Sequence, residues 1–253
     1  MANDDKSPTQ AGATPTPPAA RPAVYLRVNR VDAAICAQAK EVTVADLHES
    51  TAALGFPGLM SARMRRVTAG RIAGPAVTAL CQPGDNLMMH RALRLAEPGD
   101  VLVVVCQSET SAAQWGDVAT RYALHKGLAG VVVQGSVRDV DVVSGLGFPV
   151  WATNVWPIHA DKGKGGCVNV PVVCGDVLVK PGDLVVADGD GVIVVARKDA
   201  ASVVAAARSK MQREDEVARR ILAGEAVWDL SGAATAYAAL GIVERDAAFD
   251  DGE

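Results

Sequence analysis

The middle of the chain alternates between short apolar runs and stretches with helical spacing. Between Ala76 and Lys210, runs such as VLVVV and VVV have the length and β-branched content of buried strands, and helical patterns separate them. Two of the three Pro-Gly-Asp triplets, at Pro98 and Pro181, directly precede such a run, which is typical of a turn before a strand. The pattern predicts an α/β fold, a single domain in which helices flank a central sheet.

Further helices are predicted on both sides of this region. Residues 31–53 contain two helical stretches, and the second opens at Thr43 with Asp46 three residues later, a capping-box arrangement. Residues 87–95 are predicted to form another helix, and a long helix rich in Ala, Arg and Glu runs from residue 200 to about residue 224. The polar face of the long helix has two interpretations, a solvated surface or a contact with another subunit.

The two ends of the chain differ from its centre. Residues 1–22 are rich in Pro, Thr, Ala and Asp with almost no large apolar side chain, so they are predicted to be disordered. Residues 23–228 form the main domain, and at 49% hydrophobic content the 253-residue chain can bury a substantial core. Residues 229–253 carry weak signals and are treated as a C-terminal extension.

A candidate site lies where an aspartate precedes an Arg-Asp pair. Twenty residues separate Asp117 from Arg138-Asp139, and they contain a predicted helix at 119–126 and a predicted strand at 129–134. About ten helical residues at roughly 1.5 Å each are retraced by about five extended residues at roughly 3.3 Å each. The chain therefore returns to its starting point, and Asp117 is expected near the pair.

The residue types at this point suit an oxo-acid or metal site. Carboxylate oxygens suit a hard divalent cation, the guanidinium of Arg138 can hold a carboxylate or an oxyanion, and the amides around Gly116 to Val118 can hold an anion at a helix N-terminus. The alternative is a surface ion pair. The chain contains a second Arg-Asp pair at Arg245, and Gly224 occupies the matching upstream position there, so the spacing alone leaves both interpretations open.

Composition narrows the function classes. A net charge of −4 argues against a nucleic-acid surface, which needs a basic face. No apolar run approaches the roughly 18 residues of a membrane span, and no secretory signal is recognisable, so a cytoplasmic location is expected. Five cysteines without a CxxC spacing favour reduced, mostly buried thiols.

A lysine-based mechanism is the chemical alternative to a metal. Lys126, Lys162 and Lys164 could form a Schiff base, but none has a clearly apolar setting that would depress its pKa. The metal route is therefore favoured. The four histidines lack metal-ligand spacing. His159 is the one worth testing, because it lies beside the candidate pocket segment around Lys162.

The motifs together resemble a known family. The run WGD…GLAGVVVQGSVRD, with GPAVTAL, PGDN, PGDVLVVV and VNVPVVCGDVLVKPGDLVVADGDGV, resembles the metal-dependent pyruvate aldolases of the 4-hydroxy-4-methyl-2-oxoglutarate and 4-carboxy-4-hydroxy-2-oxoadipate type. That family also includes the regulators of ribonuclease E activity. The resemblance extends from about residue 42 to about residue 216, and it implies a swivelling β/β/α fold.

Roles for the site residues follow from the resemblance. It implies that Asp139 binds a divalent metal, Mg or Mn, and that Asp117 supports the ion largely through metal-bound water. Arg138 would hold pyruvate and stabilise its enolate, while the amides around Gly116 to Val118 would take the pyruvate carboxylate.

Two further positions are implied less directly. The family places an acidic residue of a neighbouring subunit's C-terminal helix at the metal site, and Glu214 is the match, with Glu216 and Asp215 close by. Lys162 falls where many of these aldolases carry a lysine in a G-T-V-K-A-T stretch. Here the stretch is HADKGKGG, with Trp156 just before it, so the far end of the substrate is left open.

The expected function is that of a lyase. A 4-hydroxy-2-oxo di- or tricarboxylic acid would be cleaved to pyruvate and a second oxo acid, with oxaloacetate decarboxylation as a side activity. One alternative is a non-catalytic regulator that binds a ribonuclease-type partner, but the regulators lack the acid that this chain retains as Asp139. Another is a lyase for a different oxo acid, which would differ only near residues 156–164. A homotrimer or homohexamer with sites between subunits is expected.

Overall fold

The computed structural model describes residues 22–52, 55, 58–106, 108–246 and 248. Nearly all of the predicted disordered segment, 1–22, and the end of the predicted C-terminal extension lie outside the described residues. The described helices are α1 (Ala33–Ala39), α2 (Val44–Ala52), α3 (Leu87–Leu95), α4 (Asp117–Lys126), α5 (Val140–Gly145), α6 (Ala200–Leu222), α7 (Val227–Leu230) and α8 (Ala233–Ala239).

The strands form one large sheet and one hairpin. They are β1 (Arg65–Arg66), β2 (Ile72–Cys81), β3 (Val101–Cys106), β4 (Ala113–Trp115), β5 (Gly130–Val137), β6 (Val150–Val155), β7 (Cys167–Val168), β8 (Val172–Cys174), β9 (Val177–Val179), β10 (Leu184–Ala187) and β11 (Val192–Val195). The large sheet has the order β1-β6-β5-β3-β2-β10-β11, with β4 paired to β5 and β7 paired to β2. Strands β2, β3, β5 and β6 run parallel, whereas β10 and β11 are antiparallel. The hairpin is β8-β9.

The core lies on both faces of the parallel strands. Every residue of β3 is buried, as expected for a central strand whose two faces are both covered. One face packs against α3 and α4, and the other packs against the segment around Met60 and the β8-β9 hairpin. A third apolar cluster joins β10 and β11 to α1, α2 and the first half of α6.

The fold class predicted from the sequence is confirmed. The helix at 87–95 has the predicted bounds, and Thr43 accepts a hydrogen bond from the Asp46 amide at the start of α2 (3.0 Å). All five cysteines are free and buried. Within the described chain, none of the helices combines the length and apolar content that crossing a membrane requires.

One part of the predicted alternation is wrong. Residues 150–195 form six successive strands rather than strands separated by helices. The turns after β7, for example the one in which the Asp188 amide donates to the Gly191 carbonyl (3.1 Å), are too short to include a helix, and residues 156–166 between β6 and β7 form a loop.

Candidate active site

Two turns at the carboxyl edge of the parallel strands bring the predicted site residues together. Gly116 and Asp117 lie where β4 passes into α4, and Arg138 and Asp139 lie where β5 passes into α5. Because β4 pairs with the end of β5, the turns are adjacent, and the Arg138 amide donates a hydrogen bond to the Trp115 carbonyl (3.0 Å). The structure thus places Asp117 beside the Arg-Asp pair.

The Asp139 carboxylate is the centre of this cluster. Its Oδ2 accepts a hydrogen bond from the Asp117 amide (3.2 Å) and lies 3.5 Å from the Arg138 Nε. Asp139 has φ 58° and ψ 33°, a left-handed conformation that aspartate tolerates better than most residues. Its carbonyl accepts from the Val143 amide in α5 (2.9 Å). The backbone of Asp139 therefore starts a helix while its side chain reaches back to α4.

Gly116 is needed because the two turns approach closely. A Cβ at this position would lie 2.6 Å from the Oδ2 of Asp139 and 3.3 Å from the Cγ of Arg138. The Gly116 backbone is extended, with φ −168°, so its conformation would accept any residue. Space, and not backbone geometry, therefore demands glycine.

Helix α4 begins two residues earlier than predicted, so Asp117 stands in its first turn. The first amides of a helix have no intrahelical acceptor and can bind an anion. Since the Asp117 amide already donates to Asp139, Val118 is the first amide left for this purpose. The Asp117 carboxylate lies 3.7 Å from the Nε of Arg121, one turn further on.

A cavity of about 240 Å³ opens beside the cluster. The side chains of Asp117, Arg138 and Asp139 are 33%, 37% and 35% exposed, so solvent and small solutes can reach them. The walls come from α3, from β4 with the start of α4, from the turn after β5, and from the segment before β7. The lining residues are Asn86, Met89, His90, Ala113, Gln114, Trp115, Gly116, Asp117, Val118, Ala119, Arg138, Asp139, His159, Ala160 and Lys162.

Asp85 anchors the segment 161–164, which contributes Lys162 to the cavity wall. This buried carboxylate accepts hydrogen bonds from the amides of Gly163 (2.5 Å), Lys164 (3.0 Å) and Leu87 (2.8 Å). Burial by itself would raise the pKa of the Asp85 carboxyl, but the three amides outweigh it and the pKa lies below its ordinary value. The Pro-Gly-Asp turn at this point therefore positions Lys162.

A positive charge, that of Lys162, also lines the cavity. Burial together with the charge of Lys162 holds the pKa of His90 below its ordinary value. The other two lysines weighed for a Schiff base have structural contacts. Lys126 donates to the Leu93 carbonyl at the end of α3 (3.1 Å), and Lys164 donates to the Pro83 carbonyl (2.6 Å).

Three polar lining residues were given no role from the sequence. Asn86 is the N-cap of α3 and His90 lies four residues further on, a spacing that could have drawn attention to the pair. Gln114 carried no signal, because burial of a single glutamine depends on the tertiary structure.

Glu214 lies apart from the cavity of its own chain. It lines a separate hollow beside α2, where Lys210 forms ion pairs with Glu214 and with the nearly buried Asp46 (2.9 Å). These contacts, that with Glu214 first, raise the pKa of Lys210. Glu216 pairs with Arg219 on the same helix. Neither Glu214 nor Glu216 lines the cavity that Asp139 lines.

The donor set of the cavity fits a hard cation but is incomplete in one chain. Asp117 and Asp139 contribute two carboxylates, the oxygen ligands that magnesium and manganese prefer. Among residues 22–52, 55, 58–106, 108–246 and 248, no three His, Cys, Asp or Glu side chains gather as a metal site. An ion at this cavity would therefore need water, substrate or a second chain to complete its ligands.

Apolar side chains are exposed on the elements that adjoin the two site turns. Val118, in the cavity wall, is 73% exposed. Val155, the last residue of β6, and Trp156 after it are 53% and 47% exposed, and the Trp156 amide donates to the carbonyl of Val137, next to Arg138 (3.0 Å). Val142 of α5 is exposed as well.

The fold and the site together define an α/β protein with a carboxylate–arginine cluster at the carboxyl edge of its sheet. The model of the RraA-like family, described as Aldolase/RraA, matches residues 37–194. This is more than half of the chain, and the chain therefore belongs to the RraA-like family. The resemblance drawn from its motifs is confirmed.

Among the similar proteins, one is named as an aldolase, one is uncharacterized and one is described as a member of an RNase inhibitor family. A Halalkalibacterium halodurans protein named "Putative 4-hydroxy-4-methyl-2-oxoglutarate aldolase" is 38% identical over 153 residues, which are 60% of this chain and 72% of that protein. An uncharacterized protein of Pseudomonas syringae has a similar structure, with a TM-score of 0.72, 28% identity and coverage of 79% of this chain and 93% of the other. Streptomyces coelicolor RraAS2, described as an unusual member of the RNase ES inhibitor RraA family, has a TM-score of 0.67, 33% identity and coverage of 74% and 97%.

Proposed function

We propose that this chain is a divalent-metal-dependent lyase that cleaves a 4-hydroxy-2-oxo di- or tricarboxylic acid into pyruvate and a second oxo acid. The observation that carries the proposal is the cluster of Asp117, Arg138 and Asp139 at the N-terminus of α4, beside a cavity of about 240 Å³. The cluster combines an anion site, a guanidinium and two carboxylates, which are the parts that this reaction needs. The name of the Halalkalibacterium halodurans relative agrees with it.

Asp139 and Asp117 would hold magnesium or manganese through their carboxylate oxygens. The resemblance adds Glu214 of a neighbouring subunit as a third acid, with Glu216 as the alternative. When bound, the ion supplies positive charge that polarises the 2-oxo group and stabilises the enolate.

The protein's own groups orient the substrate and stabilise the charge that develops. Among the amides around Gly116 to Val118, that of Val118 is the first not engaged by Asp139, and it binds the 1-carboxylate at the start of α4. Arg138 donates hydrogen bonds toward the 2-oxo oxygen, where negative charge collects as the bond breaks. Since the guanidinium is in place before the reaction, this stabilisation costs little reorganisation.

The bond changes are those of a retro-aldol cleavage. A water held by the acidic residues takes the proton of the 4-hydroxyl group, the C3–C4 electron pair becomes the pyruvate enolate, and C4 becomes the carbonyl carbon of the second oxo acid. Protonation at C3 then gives pyruvate. Oxaloacetate loses carbon dioxide through the same enolate, so decarboxylation is the expected side activity.

The deciding experiment measures pyruvate release from a panel of 4-hydroxy-2-oxo diacids and triacids, with and without a chelator. We expect turnover that disappears on chelation and returns with magnesium or manganese, and that is lost in Asp139→Asn under all conditions. Full turnover after exhaustive chelation, or a lysine adduct trapped by borohydride, would rule out the metal mechanism. Activity only on acids outside the panel would favour a lyase for another oxo acid.

A non-catalytic regulator is the second candidate. The likeness to Streptomyces coelicolor RraAS2, a member of an RNase inhibitor family by its description, favours it. Titration of the chain against the catalytic domain of an RNase E-type enzyme, read as inhibition of RNA cleavage, separates the two functions. Inhibition without any pyruvate release would replace the lyase by the regulator.

We also propose a cytoplasmic homo-oligomer, a trimer or hexamer, with the site at a subunit interface. The exposed apolar side chains on the elements that adjoin the site turns support this arrangement, since an interface would remove them from water. The separation of Glu214 from the cavity of its own chain supports it as well.

A further inference from the structure

Arg121 is a cation beside the reacting cluster that the proposed mechanism does not use. It lies in the second turn of α4, and its Nε stands 3.7 Å from the Oδ2 of Asp117, which lines the cavity. Helical side chains lean toward the N-terminus of their helix, so the guanidinium of Arg121 reaches back to the first turn. The side chain is 59% exposed, and solutes can therefore contact it.

The ion pair with Asp117 leaves the guanidinium of Arg121 available. Its separation of 3.7 Å is longer than a hydrogen bond, and in the described part of the chain this guanidinium donates no hydrogen bond to a protein acceptor. Arg30 shows the contrast, because its Nε and Nη2 donate to the two carboxylate oxygens of Asp100 at 2.8 Å and 2.9 Å. An exposed pair without hydrogen bonds contributes little to stability. Arg121 can therefore exchange Asp117 for an anionic ligand with little loss.

A substrate with more than one carboxylate needs a further cation at the cluster. Within one chain, Asp117, Asp139 and the 1-carboxylate of the substrate carry three negative charges, which Arg138 and a divalent ion would balance. Each further carboxylate of a di- or triacid adds a negative charge that has no partner among these groups. Arg121, beside Asp117, and Lys162, in the cavity wall, are the two cations to compare for this task.

We propose that Arg121 binds the far carboxylate of the substrate and thereby sets a preference for oxo diacids over oxo monoacids, an inference that rests on the proposed function. Val118, whose amide takes the 1-carboxylate, and Arg121 are three residues apart and lie on the same side of α4. A diacid held at Val118 extends toward the guanidinium. Arg121 then gives up its weak contact with Asp117 and donates hydrogen bonds to both oxygens of the far carboxylate.

Two oxo acids of equal length isolate the effect of the far carboxylate. The diacid is 2-oxoglutarate, and the monoacid 2-oxopentanoate has a methyl group in place of its far carboxylate. Calorimetric titration of the whole protein in magnesium chloride gives a dissociation constant for each. In Arg121→Gln that of 2-oxoglutarate should rise roughly tenfold, and that of 2-oxopentanoate should stay within about twofold. Arg121→Lys should keep most of the preference, because it keeps the charge.

Four results would overturn the proposal. Equal losses for the two ligands would make Arg121 a positioning residue for Asp117, and unchanged constants for both would make its ion pair an ordinary surface contact. A wild type without any preference for 2-oxoglutarate would also contradict it. So would a selective loss for 2-oxoglutarate in Lys162→Met without one in Arg121→Gln.

A control variant and a second assay complete the experiment. Arg220→Gln removes another exposed ion pair, that with Glu225, and should change neither dissociation constant. The unfolding temperature of Arg121→Gln should lie close to that of the wild type. If the wild type shows the Arg121-dependent preference but releases no pyruvate from 4-hydroxy-4-methyl-2-oxoglutarate, the proposed lyase fails and the binding role of Arg121 stands. If it releases pyruvate and Arg121→Gln does not discriminate between the two ligands, only the role of Arg121 fails.

Discussion

At the scale of single residues, the position of the Asp139 carboxylate depends on the absence of a side chain at Gly116. We expect Gly116→Ala to push the Asp139 carboxylate out of the cluster, since the added Cβ would stand 2.6 Å from its Oδ2. The backbone at Gly116 is extended and accepts alanine, so the protein should remain folded. Pyruvate release should fall at least about a hundredfold, with thermal unfolding nearly unchanged.

Gly145→Ala is the matched control, because nothing lies within 4 Å of its added Cβ. That variant should keep full activity. Normal turnover in Gly116→Ala would show that the position of the Asp139 carboxylate does not matter for the reaction.

Arg138 tests whether geometry or charge is needed. Arg138→Lys keeps the positive charge but loses the planar fork of the guanidinium. We expect kcat to fall on the order of a hundredfold, in addition to an effect on KM. The effect on kcat is expected because the contact strengthens when the enolate forms. Steady-state kinetics measure it, and Arg219→Lys, at an exposed position on α6, is the control. A near-normal rate would make Arg138 a structural residue.

At the scale of elements, the segment 161–164 depends on one carboxylate. Asp85→Asn replaces an acceptor of three amide hydrogens by a side chain that also donates, so we expect a loss of about 2–3 kcal/mol in the free energy of unfolding. Lys162 should lose its fixed place, and KM should rise. Asp229→Asn, on exposed α7, should change neither quantity.

The same carboxylate gives a pH dependence. The pKa of Asp85 is lower in the folded chain than the ordinary value of about 3.9 expected when unfolded. Its stabilising contribution is therefore complete above about pH 4 and is lost as the pH falls through the folded pKa. Urea unfolding between about pH 3 and pH 7 should show a shallower acid-side loss for Asp85→Asn than for the wild type; equal slopes would contradict the role of Asp85.

The sequence predicted those parts of the site that follow from local pattern. A predicted helix leads away from Asp117 and a predicted strand runs back over the same distance, which placed Asp117 near Asp139. The estimate works because the rise per residue is nearly constant within each kind of element. Of the strands after β6, β10 was predicted from the Pro-Gly-Asp turn before it, whereas the runs of two or three residues in β7, β8 and β9 carry too little periodicity. Arg121 was not identified, because the predicted helix began at residue 119 and the four-residue spacing to Asp117 has a meaning only when both residues are helical.

At the scale of the whole molecule, the site is expected to need two chains. Asp139→Ala and Glu214→Ala should each be inactive, and mixing them under conditions of subunit exchange should restore part of the activity. Some interfaces would then pair an intact Asp139 with an intact Glu214. Pyruvate release from verified mixed oligomers measures this.

Several outcomes would contradict the shared site. Mixed oligomers that stay inactive would do so, as would a Glu214→Ala variant with normal turnover, in which case Glu216→Ala is tested in its place. Gln212→Ala, at an exposed position of α6, is the control for changes in the helix itself.

Two walls of the cavity are held in place by different contacts, so one wall can change without the other. The turns after β4 and β5 hold the aspartates and Arg138, while the segment 161–164 is tied to the turn before α3 by Asp85, which accepts from Gly163 and Lys164. A change in length or charge in that segment need not disturb the reacting cluster. We therefore expect that related proteins acquire new substrates by exchanging this one short segment, because the residues proposed to carry the chemistry are held elsewhere.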